Sequence, residues 1–339
     1  MKTYFSLLLL FLWVTFSCTP PVKQTPSKPV SIILDSDIGP DFDDVGAFAV
    51  LHAMADSGKA EILGTFACNK DSLVVPTIEV LNTWFGRPAI PVGATKSKGI
   101  SMGSEQHWPD SIVAKYPHQT RSSRDAPDAV TQYRKVLSGQ PDGSVTVVSI
   151  GFLTNLSNLL QSQPDQISPL SGEALVAKKV KQLVSMAGWY PKGKEYNLYM
   201  DSTASRYCTE HWPTPVVFTG FEIGEKITTG LKLIESPVSN SPVKDAFRIA
   251  MTGARELQKG HMSWDQTAVL IAVYGPEKFF TTVKGTIKVN LDGSNSWEET
   301  PAGKQSYVKM KMSPDSLGRF IEQRMMSLPV KKDYKTGRL

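Results

Sequence analysis

The sequence of 339 residues has few cysteines, no long run of basic residues and no internal repeat. Its net charge of +5 is spread along the chain, which leaves no electrostatic footprint for binding nucleic acid. Of the three cysteines, we expect Cys68 and Cys208 to be buried free thiols, with a disulfide between them as the alternative in an exported protein. No boundary separates two domains, and the 41% of hydrophobic residues are enough for one large core.

The first 29 residues resemble an export leader followed by a tether. Lys2 precedes an apolar segment, residues 5–16, that is too short to span a membrane as a helix, so residues 1–17 are predicted to be a signal peptide. The residues that end at Cys18 resemble a loose bacterial lipoprotein cleavage site, and the four prolines of residues 18–29 indicate a tether. These features predict a lipid anchor at Cys18 and a place in the bacterial cell envelope, on the periplasmic side or the outer membrane. An ordinary secretory leader is the alternative.

The most informative stretch is a predicted core strand that runs into five carboxylates. Residues 30–34 are rich in β-branched side chains, and five aspartates follow within residues 35–44. The acidic loop then lies at the carboxyl end of a strand, where open α/β sheets bind their ligands. Five like charges repel one another unless a cation compensates, so the loop predicts a site for a hard divalent metal. The alternative is a solvated turn whose last aspartates favour a helix N-terminus.

Two other chemistries of acidic loops do not fit this spacing. An EF-hand loop that starts at Asp35 needs glycine where Pro40 stands and glutamate where Gly46 stands. A phosphatase that forms an aspartyl phosphate usually carries threonine or valine where this chain has Gly39. Both sites are therefore excluded.

The hydrophobic pattern of the rest of the chain predicts alternating strands and helices, which imply a parallel sheet with right-handed crossovers. Strands are predicted at 30–34, 60–67, 89–92, 145–149, 180–187 and 215–219. Helices are predicted at 45–55, 74–85, 127–137, 155–161, 201–211, 243–258, 267–274 and 315–326.

Three further segments have a different pattern. Residues 96–124 predict a long polar loop that carries His107 and Trp108, a length typical of a lid or binding loop. Residues 286–291 and 306–312 alternate apolar and polar side chains, which predicts an antiparallel pair. The predicted organisation is one domain at residues 30–330, followed by a basic tail at 331–339.

Polar residues follow several of the predicted strands. Because the carboxyl ends of parallel strands meet at one edge of a sheet, we expect these side chains to gather there. Asp265, at the start of a later helix, completes the set. The residues after the strands are Asn69, Thr154, Asn155, Glu195 and Asn197.

These blocks resemble the inosine-uridine preferring nucleoside hydrolase family. The opening D-x-D-x-G-x-D-D motif of the family corresponds to residues 35–44, with two extra residues in the loop. Its G-x-L-T-N block corresponds to residues 151–155 and its E-F-N block to residues 195–197, while Asp265 falls where the last acidic metal ligand sits. The similarity covers about residues 30–275 and implies a single α/β domain with a mostly parallel central sheet flanked by helices.

The resemblance implies the hydrolysis of the N-glycosidic bond of a ribonucleoside to free base and ribose with the help of Ca²⁺. The implied calcium ligands are the carboxylates of Asp37, Asp44 and Asp265 and the main-chain carbonyl of Thr154, a set that consists of oxygen atoms alone, as calcium prefers. Asp37 is implied to be the general base for the attacking water. The transition state resembles an oxocarbenium ion, which a pocket of carboxylates favours over the neutral substrate.

The resemblance also implies the residues that bind the substrate. Some members carry histidine before the last aspartate, whereas this chain has Trp264, which favours a purine base that stacks on the indole. Trp108 or His107 is predicted on the other side of the base, and the alternative for Trp108 is an anchor of its loop. The alternative for Trp264 is a core aromatic residue at a helix start. The residues implied to hold the sugar are Asp43, Asn69, Glu195 and Asn197.

Three functions are compatible with these residues. The first is a purine-preferring nucleoside hydrolase, the second is a lipoprotein that binds a nucleoside or ribosyl ligand without cleaving it, and the third is a hydrolase of another ribosyl or glycosyl compound. Asp37 and Asp43 favour an enzyme, because a binding protein has no use for a base at the anomeric carbon. The expected partner is a small nucleoside, with no nucleic acid and no membrane contact except through Cys18. A homo-oligomer is an open prediction.

Overall fold

The structure is a computed structural model and describes residues 28–96 and 98–330. The predicted signal peptide at 1–17, the anchor at Cys18, most of the tether and the basic tail at 331–339 lie outside the described residues. In the part of the chain that is described, no helix combines the length and the apolar character needed to cross a membrane. The domain boundaries and the lipid anchor stay predictions.

Over the described residues, a ten-stranded mixed sheet lies at the centre of the molecule, in the order β3-β2-β1-β4-β5-β7-β12-β10-β11-β6. Strands β8 and β9 form a separate small sheet. The strands are β1 (Val30–Ser36), β2 (Ala60–Ala67), β3 (Val92–Ala94), β4 (Val145–Ser149), β5 (Val180–Met186), β6 (Lys192–Lys194), β7 (Val216–Thr219), β8 (Thr228–Thr229), β9 (His261–Met262), β10 (Phe280–Val289), β11 (Ser294–Glu299) and β12 (Gln305–Met310).

Helices cover both faces of this sheet. They are α1 (Asp43–Asp56), α2 (Val74–Trp84), α3 (Trp108–Lys115), α4 (Ala129–Ser138), α5 (Thr154–Gln161), α6 (Gly172–Lys179), α7 (Tyr196–Met200), α8 (Ser202–His211), α9 (Phe221–Gly224), α10 (Leu231–Glu235), α11 (Pro242–Gly253), α12 (Asp265–Tyr274) and α13 (Pro314–Met325). The predicted fold class, a large α/β domain with a mostly parallel central sheet and a small antiparallel strand pair near the C-terminus, is confirmed.

Strand β1 lies inside the parallel part of the sheet, between β2 and β4, and pairs in parallel with both. Its residues alternate between two hydrophobic cores, since Ile32 and Leu34 belong to one and Ile33 belongs to the other. All three side chains are completely buried, which explains why the strand is an unbroken apolar run. The carboxyl ends of β1, β2, β4, β5 and β7 therefore meet at one edge, where the acidic loop begins.

The two C-terminal segments predicted as an antiparallel pair belong to β10 and β12, which pair antiparallel, and a further strand joins them. Strand β10 forms a hairpin with β11, which the sequence analysis missed, and pairs on its other side with β12. Strand β12 also runs parallel to β7 and thereby joins the hairpin to the main sheet. Strand β11 has the sequence Ser-Asn-Ser-Trp-Glu-Glu and buries only Asn295 completely, so it lacks the apolar alternation that marks a strand.

The predicted loop at residues 96–124 is wrong in one part, because it contains helix α3. Pro109 stands in the first turn of this helix and Asp110 follows it, which is a common helix start. The helix buries Trp108, Pro109 and Ile112 against the core. Its polar remainder hid this short apolar face from the sequence analysis.

Candidate active site

Four carboxylates of the acidic loop and of helix α12 lie together under the surface. Asp37, Asp43, Asp44 and Asp265 expose only 6%, 3%, 2% and 4% of their surface. Asp43 and Asp44 begin α1, and Asp265 begins α12, so three of the four charges lie at helix N-termini, where the backbone N–H groups favour anions. Carboxylate oxygens of these three residues lie within 4.8 Å of one another.

Burial and mutual repulsion make full ionisation of this cluster unfavourable. Burial raises the pKa of Asp37, Asp44 and Asp265 well above the usual range, and the charges of neighbouring aspartates raise it further. Burial and the nearby Asp41 raise the pKa of Asp43 to about 7. A bound cation would offset both effects. The donors are all hard oxygen atoms from separated segments, which fits a cation such as calcium.

Hydrogen bonds fix two of these carboxylates in place. The Ser36 hydroxyl donates to Asp44 Oδ1 at 2.6 Å. Asp43 Oδ2 accepts from the backbone N–H groups of Trp264 and Asp265, each at 3.0 Å, and so ties the acidic loop to the start of α12. Asp43 therefore has a positioning role that the sequence analysis missed. Ser36 was also missed, although its place between two aspartates of the motif is a usable signal.

A further aspartate, Asp35, anchors the start of the acidic loop through hydrogen bonds. Asp35 is completely buried, and its Oδ2 accepts hydrogen bonds from the Tyr133 hydroxyl at 2.9 Å and the Asn155 amide at 3.0 Å. Burial raises its pKa to about 7. The Asn155 amide also donates to the carbonyl of Ala67 at 3.0 Å. Asn155 thus links the ends of β1 and β2 to the start of α5.

The carboxylates line a cavity of about 640 Å³. The cavity is large enough for a small nucleoside-sized ligand. Among its lining residues, all in the described part of the chain, there is no lysine, arginine or histidine. We name it the acidic cavity, and its lining residues are Asp37, Pro40, Asp41, Asp43, Asp44, Met102, Gly103, Glu105, Gln106, Ile150, Met186, Glu195, Tyr196, Asn197, Tyr199, Met200, Phe221, Trp264 and Asp265.

Two predicted sugar ligands, Glu195 and Asn197, lie on the wall of the acidic cavity. Glu195 accepts backbone hydrogen bonds from Asn197 and Gly188, both at 2.8 Å. Burial nevertheless raises its pKa to about 7. The Asn197 amide donates to the carbonyl of Met186 at 3.0 Å, which fixes its orientation. The two side chains are thus held rigidly at the cavity.

The aromatic wall of the acidic cavity consists of Trp264 with Phe221. The indole N–H donates to the Phe221 carbonyl at 2.9 Å, and the two rings lie 5.3 Å apart at an interplanar angle of 29°. Trp264 lines the cavity rather than only the core. Phe221 was missed by the sequence analysis. The usable signal is its position directly after β7, at the same sheet edge as the other site residues.

Two predicted substrate residues are not among those that line the acidic cavity. Asn69 is completely buried, and its amide donates to the carbonyls of Asp37 at 3.0 Å and Met102 at 2.7 Å. Its Oδ1 accepts from the N–H groups of Asp71 at 3.1 Å and Met102 at 3.0 Å, so all the hydrogen-bonding capacity of its amide is used. Asn69 thus fixes the backbone of Asp37, and its contact with the sugar stays a prediction. Trp108 is also completely buried in a hydrophobic core, which favours the alternative, an anchor of its loop, over a place beside the base.

Thr154 begins α5, and its hydroxyl donates to Asp201 at 2.6 Å. It is buried but is not among the residues that line the acidic cavity. The role of its carbonyl as a calcium ligand stays a prediction.

A buried histidine beside the site was also missed. His261 lies 2.8 Å from Asp41 and 2.7 Å from Glu256, and its ring stacks on Phe42 with the ring centres 3.8 Å apart. Burial lowers the pKa of His261, but the two carboxylates outweigh burial and raise it to about 10. Its charge therefore holds Asp41 ionised at the cavity rim. Its two carboxylate partners come from separate segments, so no local sequence signal could identify it.

Comparison with known proteins supports one family. The family model described as inosine-uridine preferring nucleoside hydrolase matches residues 32–317. A solved inosine-guanosine nucleoside hydrolase aligns with a TM-score of 0.68 and 18% identity over 88% of this chain and 99% of that chain. A purine-preferring ribonucleoside hydrolase from Gardnerella vaginalis aligns with a TM-score of 0.64 and 18% identity over 87% of this chain and 98% of that one. At such identities the two structures show the shared fold.

One curated relative matches in sequence as well. An uncharacterised protein of Schizosaccharomyces pombe is 27% identical over 219 residues, or 60% of this chain and 65% of the relative. The match thus spans just under two thirds of that relative's length. The family model, by contrast, covers most of the chain and includes all four acidic residues of the cluster. The chain belongs to the inosine-uridine preferring nucleoside hydrolase family.

Proposed function

We propose that this protein hydrolyses the N-glycosidic bond of purine ribonucleosides with the help of Ca²⁺ and releases free base and ribose. The observation that carries the proposal is the acidic cavity, in which Asp37, Asp43, Asp44 and Asp265 are buried together beside Trp264. Family membership supports the same reaction class. The absence of a basic residue among the described lining residues favours an uncharged nucleoside over a phosphorylated ribosyl compound.

The residues that would hold the calcium ion are Asp37, Asp44 and Asp265, together with the carbonyl of Thr154. The bound ion supplies a Lewis acid that lowers the pKa of a coordinated water. The carboxylate oxygens of Asp44 and Asp265 lie within 4.8 Å of each other and of Asp43, which supports these two ligands, and Asp37 is buried in the same cavity.

The remaining chemistry belongs to the side chains of the cavity. Asp37 takes a proton from the attacking water, because its side chain lines the cavity and the Asn69 amide fixes its backbone. Positive charge develops on the sugar as the bond to the base breaks, and the surrounding carboxylates stabilise it. Asp43, Glu195 and Asn197 hold the sugar hydroxyls, since all three line the cavity in fixed orientations.

The base lies against Trp264 in this proposal. The hydrogen bond from the indole to the Phe221 carbonyl fixes the ring before substrate binds. A purine offers a larger face than a pyrimidine for stacking on this ring, which supports the proposed preference.

A nucleoside panel tests the proposal. The protein is incubated with inosine, adenosine, guanosine, uridine and cytidine in calcium buffer, and free base is measured by chromatography. We expect release from the purine nucleosides in the wild-type protein and none in Asp37→Ala. Measurable nucleoside binding without release from any member of the panel would instead show a binding protein. Release from other ribosyl or glycosyl compounds alone would show the third function.

We also propose that the protein is exported and carries a lipid on Cys18, on the basis of its N-terminal sequence. Radiolabelled palmitate should be incorporated into the full chain in a bacterial host and not into Cys18→Ser. Label in both proteins, or in neither, would contradict the anchor.

A further inference from the structure

A second cavity of about 440 Å³ lies at the same edge of the sheet as the acidic cavity. Part of its wall comes from residues after two strands, since Lys70 stands three residues past the end of β2 and Thr95 directly follows β3. Loops at the carboxyl ends of parallel strands are the usual ligand-binding positions of such sheets. We name it the basic cavity, and its lining residues are Lys70, Thr95, Lys96, Ser101, Ser123 and Arg124.

The charge of the basic cavity is opposite to that of the acidic cavity. Among its described lining residues are two lysines and one arginine, and none of them is acidic. The Lys96 ammonium donates to the carbonyls of Ser123 at 3.0 Å and Arg124 at 2.7 Å, which fixes its position and leaves one of its three protons for a further acceptor. The cavity thus concentrates hydrogen-bond donors and positive charge.

One hydroxyl in this cavity lacks a hydrogen-bond partner although it is buried. Thr95 exposes 4% of its surface, and its Oγ1 has no partner within the protein. A buried hydroxyl without a partner is costly and uncommon in native proteins. Thr95 is one of the residues that line the basic cavity, so a rotation of its side chain would present this hydroxyl to a ligand there. This observation is independent of the charge of the lining residues.

We propose that the basic cavity binds a phosphate group. Phosphate carries close to two negative charges and several acceptor oxygens, which match three cationic side chains and a donor hydroxyl better than the single charge of a carboxylate does. The volume exceeds that of phosphate alone, so both inorganic phosphate and the phosphate of a small ester fit. The proposal does not depend on the proposed hydrolase activity, because no lining residue is shared between the two cavities.

The proposal is tested by titrating the full chain with sodium phosphate in a calorimeter. Sodium chloride at equal ionic strength controls for general screening. We expect one-site binding of phosphate that weakens about tenfold in Thr95→Val and at least tenfold in Arg124→Gln, since each substitution removes a donor to a charged group. The matched control is Lys181→Gln, an exposed residue at the start of β5 near the opposite edge of the sheet, and it should bind phosphate as the wild type does.

Thr95→Val separates a ligand-binding role from a structural one. Valine has the same shape, and the hydroxyl that it removes has no partner in the ligand-free protein. The thermal midpoint without phosphate should therefore stay unchanged or rise, while the increase on adding phosphate should shrink. A midpoint that falls in Thr95→Val without phosphate would show that the hydroxyl has a structural partner, and would overturn this part of the argument.

The source of the phosphate is resolved with a second titrant. Adenosine monophosphate that binds more tightly than inorganic phosphate, and that is weakened by Arg124→Gln, would show a phosphate ester as the ligand. Equal or weaker binding would favour inorganic phosphate. The proposal is overturned if the wild-type protein binds neither titrant, or if Thr95→Val and Arg124→Gln bind like the wild type. Asp37→Ala should leave phosphate binding unchanged, so a failure here is distinct from a failure of the hydrolase proposal.

Discussion

The acidic and basic cavities occupy the same edge of one sheet and have opposite charge. The acidic cavity takes its aspartates from the end of β1 and the start of α12, whereas the basic cavity takes Lys70 and Thr95 from the ends of β2 and β3. The shared sheet fixes the positions, and the residues that follow each strand fix the chemistry. Two neighbouring strand ends can therefore serve ligands of opposite charge.

The two cavities also differ in how deeply their charged residues are buried. The aspartates of the acidic cavity are almost completely buried and repel one another, so protons or a bound cation must offset their charge. In the basic cavity, Lys96 and Arg124 are exposed, and water screens their charges. We therefore expect ligand removal to affect the acidic cavity much more than the basic one. The predictions that follow test this contrast.

The largest expected effect is that of Asp37→Ala on catalysis. Removal of a general base costs about 10² to 10⁴-fold, so we expect nucleoside turnover to fall by about 10³-fold or more. The thermal midpoint of the ion-free protein should not fall, because the substitution removes a charge that repels Asp43 and Asp44. The exposed Asp110→Ala is the control and should keep full activity in the base-release assay. Turnover in Asp37→Ala near the wild-type rate would remove the catalytic assignment.

Calcium should stabilise the folded protein, because its positive charge offsets the buried negative charges of the acidic cavity. At a free concentration of about 100 times its Kd, a ligand adds about 2.7 kcal/mol to the free energy of unfolding. In a domain of this size, this corresponds to a rise of roughly 5 °C in the thermal midpoint, measured by calorimetry against a chelator. Asp44→Ala should lose the rise. An unchanged midpoint in the wild-type protein would contradict the calcium site.

This stabilisation should depend on pH in a defined direction. The pKa values of Asp43 and Glu195 are raised to about 7, whereas those of carboxyls in an unfolded chain lie near 4. Between these values the folded ion-free protein binds more protons than the unfolded chain, so its free energy of unfolding should fall as the pH rises from about 4 to about 7. The pKa values of the proposed calcium ligands Asp37, Asp44 and Asp265 are raised as well, so calcium must displace their protons and its affinity should weaken as the pH falls.

Urea unfolding at pH 5 and pH 8, with chelator or with calcium, measures both effects. The chelated protein should be more stable at pH 5, and the gain from calcium should be larger at pH 8. A gain from calcium that is equal at both values would show that the buried carboxylates do not hold the ion.

Asn69→Ala tests the amide that fixes the floor of the acidic cavity. The substitution leaves buried groups of Asp37 and Met102 without partners, which should cost about 2 kcal/mol in the free energy of unfolding. The exposed Gln163→Ala should change it by less than about 0.5 kcal/mol in the same urea titration. A loss of nucleoside affinity without a loss of stability would instead support Asn69 as a sugar ligand.

The smallest effect is expected for Trp264→Ala. Loss of aromatic stacking is worth about 1 kcal/mol, so kcat/KM for inosine should fall about fivefold to tenfold more than kcat/KM for uridine. Trp264→Phe keeps an aromatic face and should retain most of the preference. Equal losses on purine and pyrimidine nucleosides would count against the stacking role.

Three of the site residues predicted from the sequence lie close together in one short stretch of the chain. Asp37, Asp43 and Asp44 stand in a single loop after an apolar strand, and the topology then brings Asp265 to the same edge. The family blocks add Glu195 to this set. The spacing of apolar residues predicted most of the parallel strands for the same reason, because each strand or helix has its own pattern along the chain.

The differences concern contacts between distant segments. The polar loop around Trp108 suggested a ligand-binding role beside that of a loop anchor, and the structure buries Trp108 with Pro109 and Ile112 of α3 in the core. Asn69 stands at the correct strand end, and only the structure shows that its amide is used on Asp37 and Met102. Side-chain partners of this kind depend on packing and leave no pattern along the chain.

The segment from Gly99 to Gly103 forms a partition between the two cavities. Ser101 faces the basic side, while Met102 and Gly103 face the acidic side, and the backbone of Lys70 holds the partition through the carbonyl of Ile100. A molecule that moves this partition from one side also changes the space on the other. By thermodynamic linkage, a ligand in the acidic cavity and a ligand in the basic cavity would then raise or lower each other's affinity by the same factor.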